Sequence, residues 1–295
     1  HVGTLNAWEI CDIFNLPMII FVTDMDIDNV SYRKVTEQLS ELFGNKIAPV
    51  YMPIRENEKF VGYVNIIKNK GRKYVERDKK VEIDIPDYCE EYRDTYRDAL
   101  MEAVAETSEE FMDRYFGGEE FSEAEIYAAL ATSVSDCSLV PVGMGSPVNL
   151  QGVTNLLDDI ISFFPSPAQL KRAGFDKNSN GVFDADYDFS KAKSAYVFKT
   201  IVDPFLGKYS LIKVCSGVIK ASDTLYNVEA ETEEKLNKLY VLQGSKAVEV
   251  AELMAGDIGA IAKLNSVRTG DTLATKANPV SFGKVAISKP YTVKA

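Results

Sequence analysis

The chain has 295 residues, 46% hydrophobic and 26% charged, with 18 Gly and 11 Pro. That balance excludes a disordered, collagenous or low-complexity protein and leaves room for two or three domains. The net charge is −11, yet Glu76–Glu125 alone holds 18 acidic and 6 basic residues, so the remainder is close to neutral and is not repelled from nucleic acid. The acidic stretch reads either as a solvated helical face or as a docking surface for a basic partner. Apolar runs such as Met18 to Val22 are too short to span a bilayer. His1 is the single histidine, which removes most zinc sites and every His-based triad. Cys11, Cys89, Cys137 and Cys215 form no CxxC pair, and no signal-peptide pattern opens the sequence. The expected setting is the reducing cytoplasm, with no membrane contact.

In chain order, Ala7, Ile10, Cys11 and Phe14 fall on one helical face, and Asn15-Leu16-Pro17 ends that segment. Met18 to Val22 reads as a strand covered on both faces. A second helix follows, with Val35, Leu39 and Leu42 inward and Gly44 as its stop; Asp28 or Asn29 could cap it. Short strand-like runs come at Ile47 to Tyr51, Val61 to Ile67 and Val81 to Ile85. An acidic helical stretch covers Tyr88 to Phe116, and Ser122 with Glu125 forms a capping box opening another helix. Leu139 to Val142 has buried-strand composition, and Val153, Leu156, Leu157, Ile160, Ile161 and Phe164 make a helical stripe stopped by Pro165-Ser166-Pro167. Residues 1–43 and 138–167 are therefore α/β in character, with 44–137 an α+β insertion between them. A polar linker spans 168–190. From Ser194 the helical period vanishes, and β-rich runs at 195–202, 209–215, 223–228, 236–242, 258–264 and 284–287 argue a small closed or sandwiched all-β domain over 191–288. Residues 289–295 read as the start of a linker to a further domain.

There is no GxxxxGK[ST] and no GxGxxG in the chain, hence no phosphate cradle of its own. Asp176, Asn178, Asn180, Gly181 and Asp184 match five EF-hand calcium positions, but Tyr187 stands where a bidentate Glu is required, so a turn-rich linker is the expectation. More informative are two loops at expected strand ends, Thr23-Asp24-Met25-Asp26 and Gly145-Ser146-Pro147. Loops at the carboxyl ends of neighbouring parallel strands are where open α/β sheets bind ligands, and an Asp there can accept from a ligand's amidine edge.

Around those loops, "IIFVTDMDIDNVSYRKVTEQLSELFGNKIAPVYMPI" and "GSPVNLQGVTNLLDDIISFFPSP" closely resemble bacterial elongation factor G and its paralogues. In the β-rich part, "VFKTIVDPFLGKYSLIKVCSGVIKASDTLYN" and "AGDIGAIAKLNSVRTGDTL" resemble the second domain of that factor. The resemblance implies part of a P-loop GTPase-type G domain with its insertion, followed by an all-β barrel. It implies that the family's P-loop, first switch and DTPGH segment precede this chain and that its third to fifth domains follow. GTP or GDP with Mg²⁺ would bind the full-length parent, with none held tightly by this chain, which alone would be inactive. The family's role is GTP-dependent ribosomal translocation, the insertion facing the large-subunit stalk protein and the barrel contacting small-subunit RNA, in a monomer. On this sequence the stalk contact falls on the acidic stretch, at Glu102, Glu106 and Glu109.

The guanine loops depart from the family pattern. Where the family reads NKxD, Thr23 replaces the Asn and Asp24 the Lys, while Asp26 is kept for guanine N1 and N2. Asp24 cannot supply the aliphatic cover of a Lys stem. In the GSA loop the backbone N–H of Ala is the donor to guanine O6; Gly145 and Ser146 match, but Pro147 has no N–H. Each departure removes about 1–3 kcal/mol where a group is left unpaired. The alternative reading is therefore a degenerate paralogue that binds ribosomes as an interaction module with weak or no GTP binding.

Overall fold

The computed structural model describes residues 2–28, 30–169, 172–203, 207–244 and 246–283. The chain divides into two units, His1–Phe164 and Pro165–Ala295. The expected strand at 284–287, the tail at 289–295 and Asn29 lie outside the described residues.

Unit one begins with α1 (Val2–Ile13), β1 (Ile20–Val22), α2 (Tyr32–Phe43) and β2 (Ile47–Pro49). A four-stranded antiparallel meander follows: β3 (Tyr51–Glu56), β4 (Lys59–Asn65), β5 (Lys70–Glu76) and β6 (Lys79–Ile83). Then come α3 (Asp87–Ala105), α4 (Glu109–Phe116), α5 (Glu123–Ser135), β7 (Val140–Met144) and α6 (Val153–Phe163). A second, parallel sheet has the order β1-β7-β2, so β2 belongs with the two strands of the α/β part. Central β7 is buried throughout, as its composition requires, whereas β1 at the sheet edge is only half-buried.

Local signals explain several boundaries. Ser31, not Asp28, caps α2 by accepting from Lys34 N at 3.3 Å, and Gly44 at φ 75 ends it. Its buried stripe is Tyr32, Thr36 and Leu39, with Phe43 beside them; Leu42 turns outward at 64% exposed. The Ser122–Glu125 capping box is present in full, with Glu125 N donating to Ser122 Oγ at 3.3 Å and Ser122 N donating to Glu125 Oε2 at 2.8 Å. The acidic stretch is two helices rather than one. Ser108 accepts from Phe111 N at 3.1 Å and starts α4 afresh, because a side-chain acceptor competes well with continued helix at that point.

Two apolar stripes face differently from expectation. In α1 no residue is buried, and Ile10 and Phe14 are exposed; the helix rests instead through Trp8, stacked on Phe43 at 3.8 Å between centroids. In α6 the buried residues are Asn155, Asp159 and Phe163, while Leu157, Ile160 and Ile161 are exposed. The polar face turns inward because the meander supplies partners for it. Tyr51 Oη donates to Asp159 Oδ1 at 2.7 Å and Tyr63 Oη to Asn155 Oδ1 at 3.2 Å.

Unit two contains β8 (Ala173–Asp176), β9 (Gly181–Asp184), β10 (Ser194–Asp203), β11 (Gly207–Ser216), β12 (Val218–Lys220), β13 (Thr224–Asn227) and β14 (Thr232–Lys235). It continues with β15 (Leu239–Gln243), β16 (Lys246–Val250), β17 (Glu252–Met254), β18 (Ile258–Ala262), β19 (Thr272–Ala274) and β20 (Val280–Ser281). Eight of these form one antiparallel sheet in the order β14-β13-β19-β10-β11-β18-β15-β16. Its core is built from Val197, Ile212, Val214, Leu225, Leu239 and Ile261 among others. Among the described residues the end strands β14 and β16 do not pair with each other, so the all-β expectation holds as a large antiparallel sheet without recorded closure. The calcium-like run is a β-hairpin: Asp176 faces Gly181 at its turn, and Asp176 accepts from Asn178 N at 2.9 Å. Asp184 pairs with Ala173 at the opposite end of the hairpin, so the side chains of the pattern do not converge.

Candidate strand-end site

β1 and β7 run parallel as neighbours, with Val22 opposite Met144, so the loops that leave them emerge side by side. Their backbones are joined directly. Gly145 N donates to Val22 O at 3.0 Å, and Met25 N donates to Gly145 O at 3.3 Å. Only glycine fits at 145: a Cβ there would lie 2.2 Å from Gln151 O and 2.8 Å from the Phe21 ring. The structure thus brings together the two sets of residues singled out in the sequence.

In the first loop Thr23, Asp24 and Asp26 are exposed while Met25 between them is fully buried. Asp24 has φ 62, a left-handed conformation that Asp tolerates better than most residues, and its carbonyl closes a turn by accepting from Ile27 N at 3.0 Å. In the second loop Ser146 is buried and forms a two-way backbone bridge with Gln151, at 2.9 and 3.0 Å. Ser146 Oγ accepts from Asn149 N at 3.2 Å, which leaves Pro147 at the exposed tip.

Two residues that the sequence reading did not single out hold these loops. Arg55, on β3, donates to Met25 O and Val30 O, both at 3.0 Å, and to Glu58 O at 2.6 Å, clamping the Asp26 loop from the meander. Asp78, in the β5–β6 turn, accepts from Gly152 N at 3.0 Å and Thr154 N at 2.9 Å. Gly152 stands at the N-cap of α6 and has no side chain, so the carboxylate that caps this helix comes from 74 positions upstream. Neither residue carries a sequence signal, since each acts on backbone groups supplied by a distant segment.

The three acidic residues of the expected partner surface are exposed, Glu102 on α3, Glu106 at its C-cap and Glu109 at the start of α4. They therefore straddle the α3–α4 corner. Nearby, Arg114 pairs with Glu125 at 2.6 Å, and this ion pair first, then the two hydrogen bonds from Ser122, holds the Glu125 carboxyl down at about 2. Among the described residues no group of three or more His, Cys, Asp or Glu side chains could hold a metal ion, and no helix is long and apolar enough to cross a membrane.

Comparison with known proteins bears on both units. Residues 192–276 match the family model for elongation factor G domain 2. A solved structure from Thermus thermophilus superposes with a TM-score of 0.80 at 28% identity, over 99% of this chain and 41% of that one. The chain thus spans less than half the length of that relative. Taken with the apposed strand-end loops and the antiparallel sheet of unit two, these matches support a fragment similar to elongation factor G, with domain 2 over residues 192–276 preceded by an α/β unit.

Proposed function

We propose that the protein is a ribosome-bound translation factor of the translocation type, working with GTP in the cytoplasm as a monomer. The observation that carries this reading is the match of residues 192–276 to elongation factor G domain 2, in a chain whose whole length follows one related structure. In this reading Asp26 accepts from the guanine edge, Gly145 and Ser146 shape the facing loop, and Mg²⁺ accompanies the nucleotide through residues other than those described. The eight-stranded sheet of unit two closes as a barrel against small-subunit RNA. Glu102, Glu106 and Glu109 meet the basic stalk protein of the large subunit, a contact supported by their exposure at one corner.

Co-sedimentation with ribosomes tests the proposal. The chain should pellet with intact ribosomes and more weakly with stalk-depleted ones, and reversing the three Glu residues to Lys should reproduce the weaker binding. Attraction between these charges should fade as the Debye length shrinks from ~10 Å at 0.1 M salt to ~3 Å at 1 M. Absence of pelleting, or pelleting indifferent to both the stalk and the triple reversal, would refute the stalk contact.

A second reading, an interaction module without nucleotide chemistry, is favoured by one specific observation. The loop tips that would meet guanine carry exposed Thr23, Asp24 and Pro147, and Pro147 has no N–H to donate. Titration of GDP against the whole protein separates the two: micromolar or tighter binding supports the GTP-dependent factor, and no binding supports the module.

A further inference from the structure

Away from the strand-end loops, the meander and the helices α5 and α6 do not close on each other. They leave a cavity of about 540 Å³, within the range of small-ligand sites. Its lining has three chemical parts. Tyr51, Tyr63 and Tyr127 provide aromatic surface, with Tyr51 and Tyr63 edge to face at 5.3 Å. Asn155 and Asp159 provide buried polar groups one helical turn apart on α6. Lys68, Lys70 and Arg72 provide positive charge from β5 and the turn before it.

The polar groups are only half used. Asp159 Oδ1 accepts from Tyr51, but among the described residues Oδ2 takes no hydrogen bond. Asn155 Oδ1 accepts from Tyr63 and from Lys80, while its side-chain N–H₂ donates to none of the described residues. A free acceptor and a free donor pair therefore line the same cavity, a combination that suits the alternating edge of a nucleobase. The cations are positioned rather than loose. Glu82 holds Lys70 at 3.3 Å and Arg72 at 2.9 Å, and Lys68 lies 5.9 Å from the Tyr127 ring centroid. With Lys80 the lining carries four cations, against Asp158 and the partly protonated Asp159. With Glu82 paired to two of the cations the balance still stays positive, which favours an anion although the surrounding sequence is acidic.

We propose that this cavity is a binding site for a nucleoside monophosphate, its base against the tyrosines, Asn155 and Asp159, and its phosphate on Lys68, Lys70 and Arg72. A free anion would leave the aromatic and amide groups unused, and a bare nucleoside would leave the cations unused. The site is separate from the strand-end loops and does not depend on their binding guanine. Burial raises the Asp159 carboxyl to about 7, so it is protonated in part near neutrality and can donate as well as accept.

The test is titration of the whole chain, ¹⁵N-labelled, with AMP, GMP, adenosine and inorganic phosphate as separate probes. AMP or GMP should bind with a dissociation constant of about 1 mM or tighter, shifting amides of residues 63–72 and 153–159 rather than 22–26 and 145–147. Adenosine and phosphate should each bind at least about tenfold more weakly. The double variant Lys68→Ala, Arg72→Ala alters side chains that are not buried and should weaken nucleotide binding by at least about tenfold. The proposal is overturned if neither nucleotide shifts the cavity amides, if phosphate alone binds as tightly, or if the double variant binds as well as the parent.

Discussion

Tyr51 donates its hydroxyl to Asp159 at 2.7 Å, joining the first strand of the meander to the last helix of unit one across 108 positions of sequence. Both partners are buried, and this single bond accounts for a carboxyl group on what the sequence presents as the polar side of an amphipathic helix. Burial drives the Asp159 carboxyl up from 3.8 to about 7, with Asp158 adding to the effect and the Tyr51 hydrogen bond and Lys80 opposing it.

The first prediction concerns pH. A carboxyl whose folded-state value is raised keeps more protons in the native than in the unfolded chain between about pH 4 and 7. Its contribution to stability is full below about pH 4 and is lost as pH rises through about 7, at roughly 1.4 kcal/mol for each pH unit of that interval. Asp159→Asn should therefore flatten the pH dependence of the urea midpoint over that window and gain on the parent at pH 8. Equal slopes in the two proteins would show that Asp159 is not the titrating group.

The second prediction concerns Arg55, whose guanidinium holds two carbonyls of the Asp26 loop, Met25 O and Val30 O, and anchors itself on Glu58 O in the β3–β4 turn. Arg55→Gln removes the charge and most of the donors, leaving Met25 O and Val30 O without their partner. A loss of about 2 kcal/mol is expected, with faster amide exchange at Ile27 while the β7 amides stay protected. Unchanged exchange at Ile27 would mean that the loop is held by other contacts.

For the remote cap, Asp78→Ala should fray the first turn of α6 at a cost of about 1–2 kcal/mol. Asp78→Asn keeps one acceptor and should recover part of that loss. Amide exchange at Gly152 and Thr154 reports the effect directly, since these are the two donors Asp78 serves. Protection of both amides in the alanine variant would rule the cap out.

The last prediction applies to the loop tips. Thr23→Asn, Asp24→Lys and Pro147→Ala together should tighten GDP binding by the whole protein far more than any single change, because three groups framing one ring do not act additively. Asp24 sits at φ 62, a conformation less comfortable for Lys, so thermal melting accompanies the calorimetric titration. Tight GDP binding by the unaltered protein, indifferent to the triple change, would show that neighbouring residues already compensate.

Elements governed by neighbours in sequence were legible without coordinates. The Ser122–Glu125 capping box, the buried run at β7 and the helix end at Gly44 each depend on residues within about one turn of each other. The two strand-end loops were legible as candidates for the same reason, because a loop after a buried apolar run follows from local composition. Their adjacency was not, since it rests on the β1–β7 pairing across the length of the insertion.

What the sequence by itself determined about this protein is its division into an α/β part and a β-rich part, the position of its acidic excess, and the residue types at the loop tips. Tertiary structure alone decided which helix faces are buried. The 3.6-residue period of α6 marks two faces, but the hydroxyls of Tyr51 and Tyr63, with the Lys80 ammonium, make the polar one the inner one, by satisfying Asp159 and Asn155 at lower cost than leaving them unpaired. Arg55 and Asp78 belong to the same class. A side chain that satisfies distant backbone groups has no local pattern, and its role exists only once the chain has brought its partners within 3.0 Å.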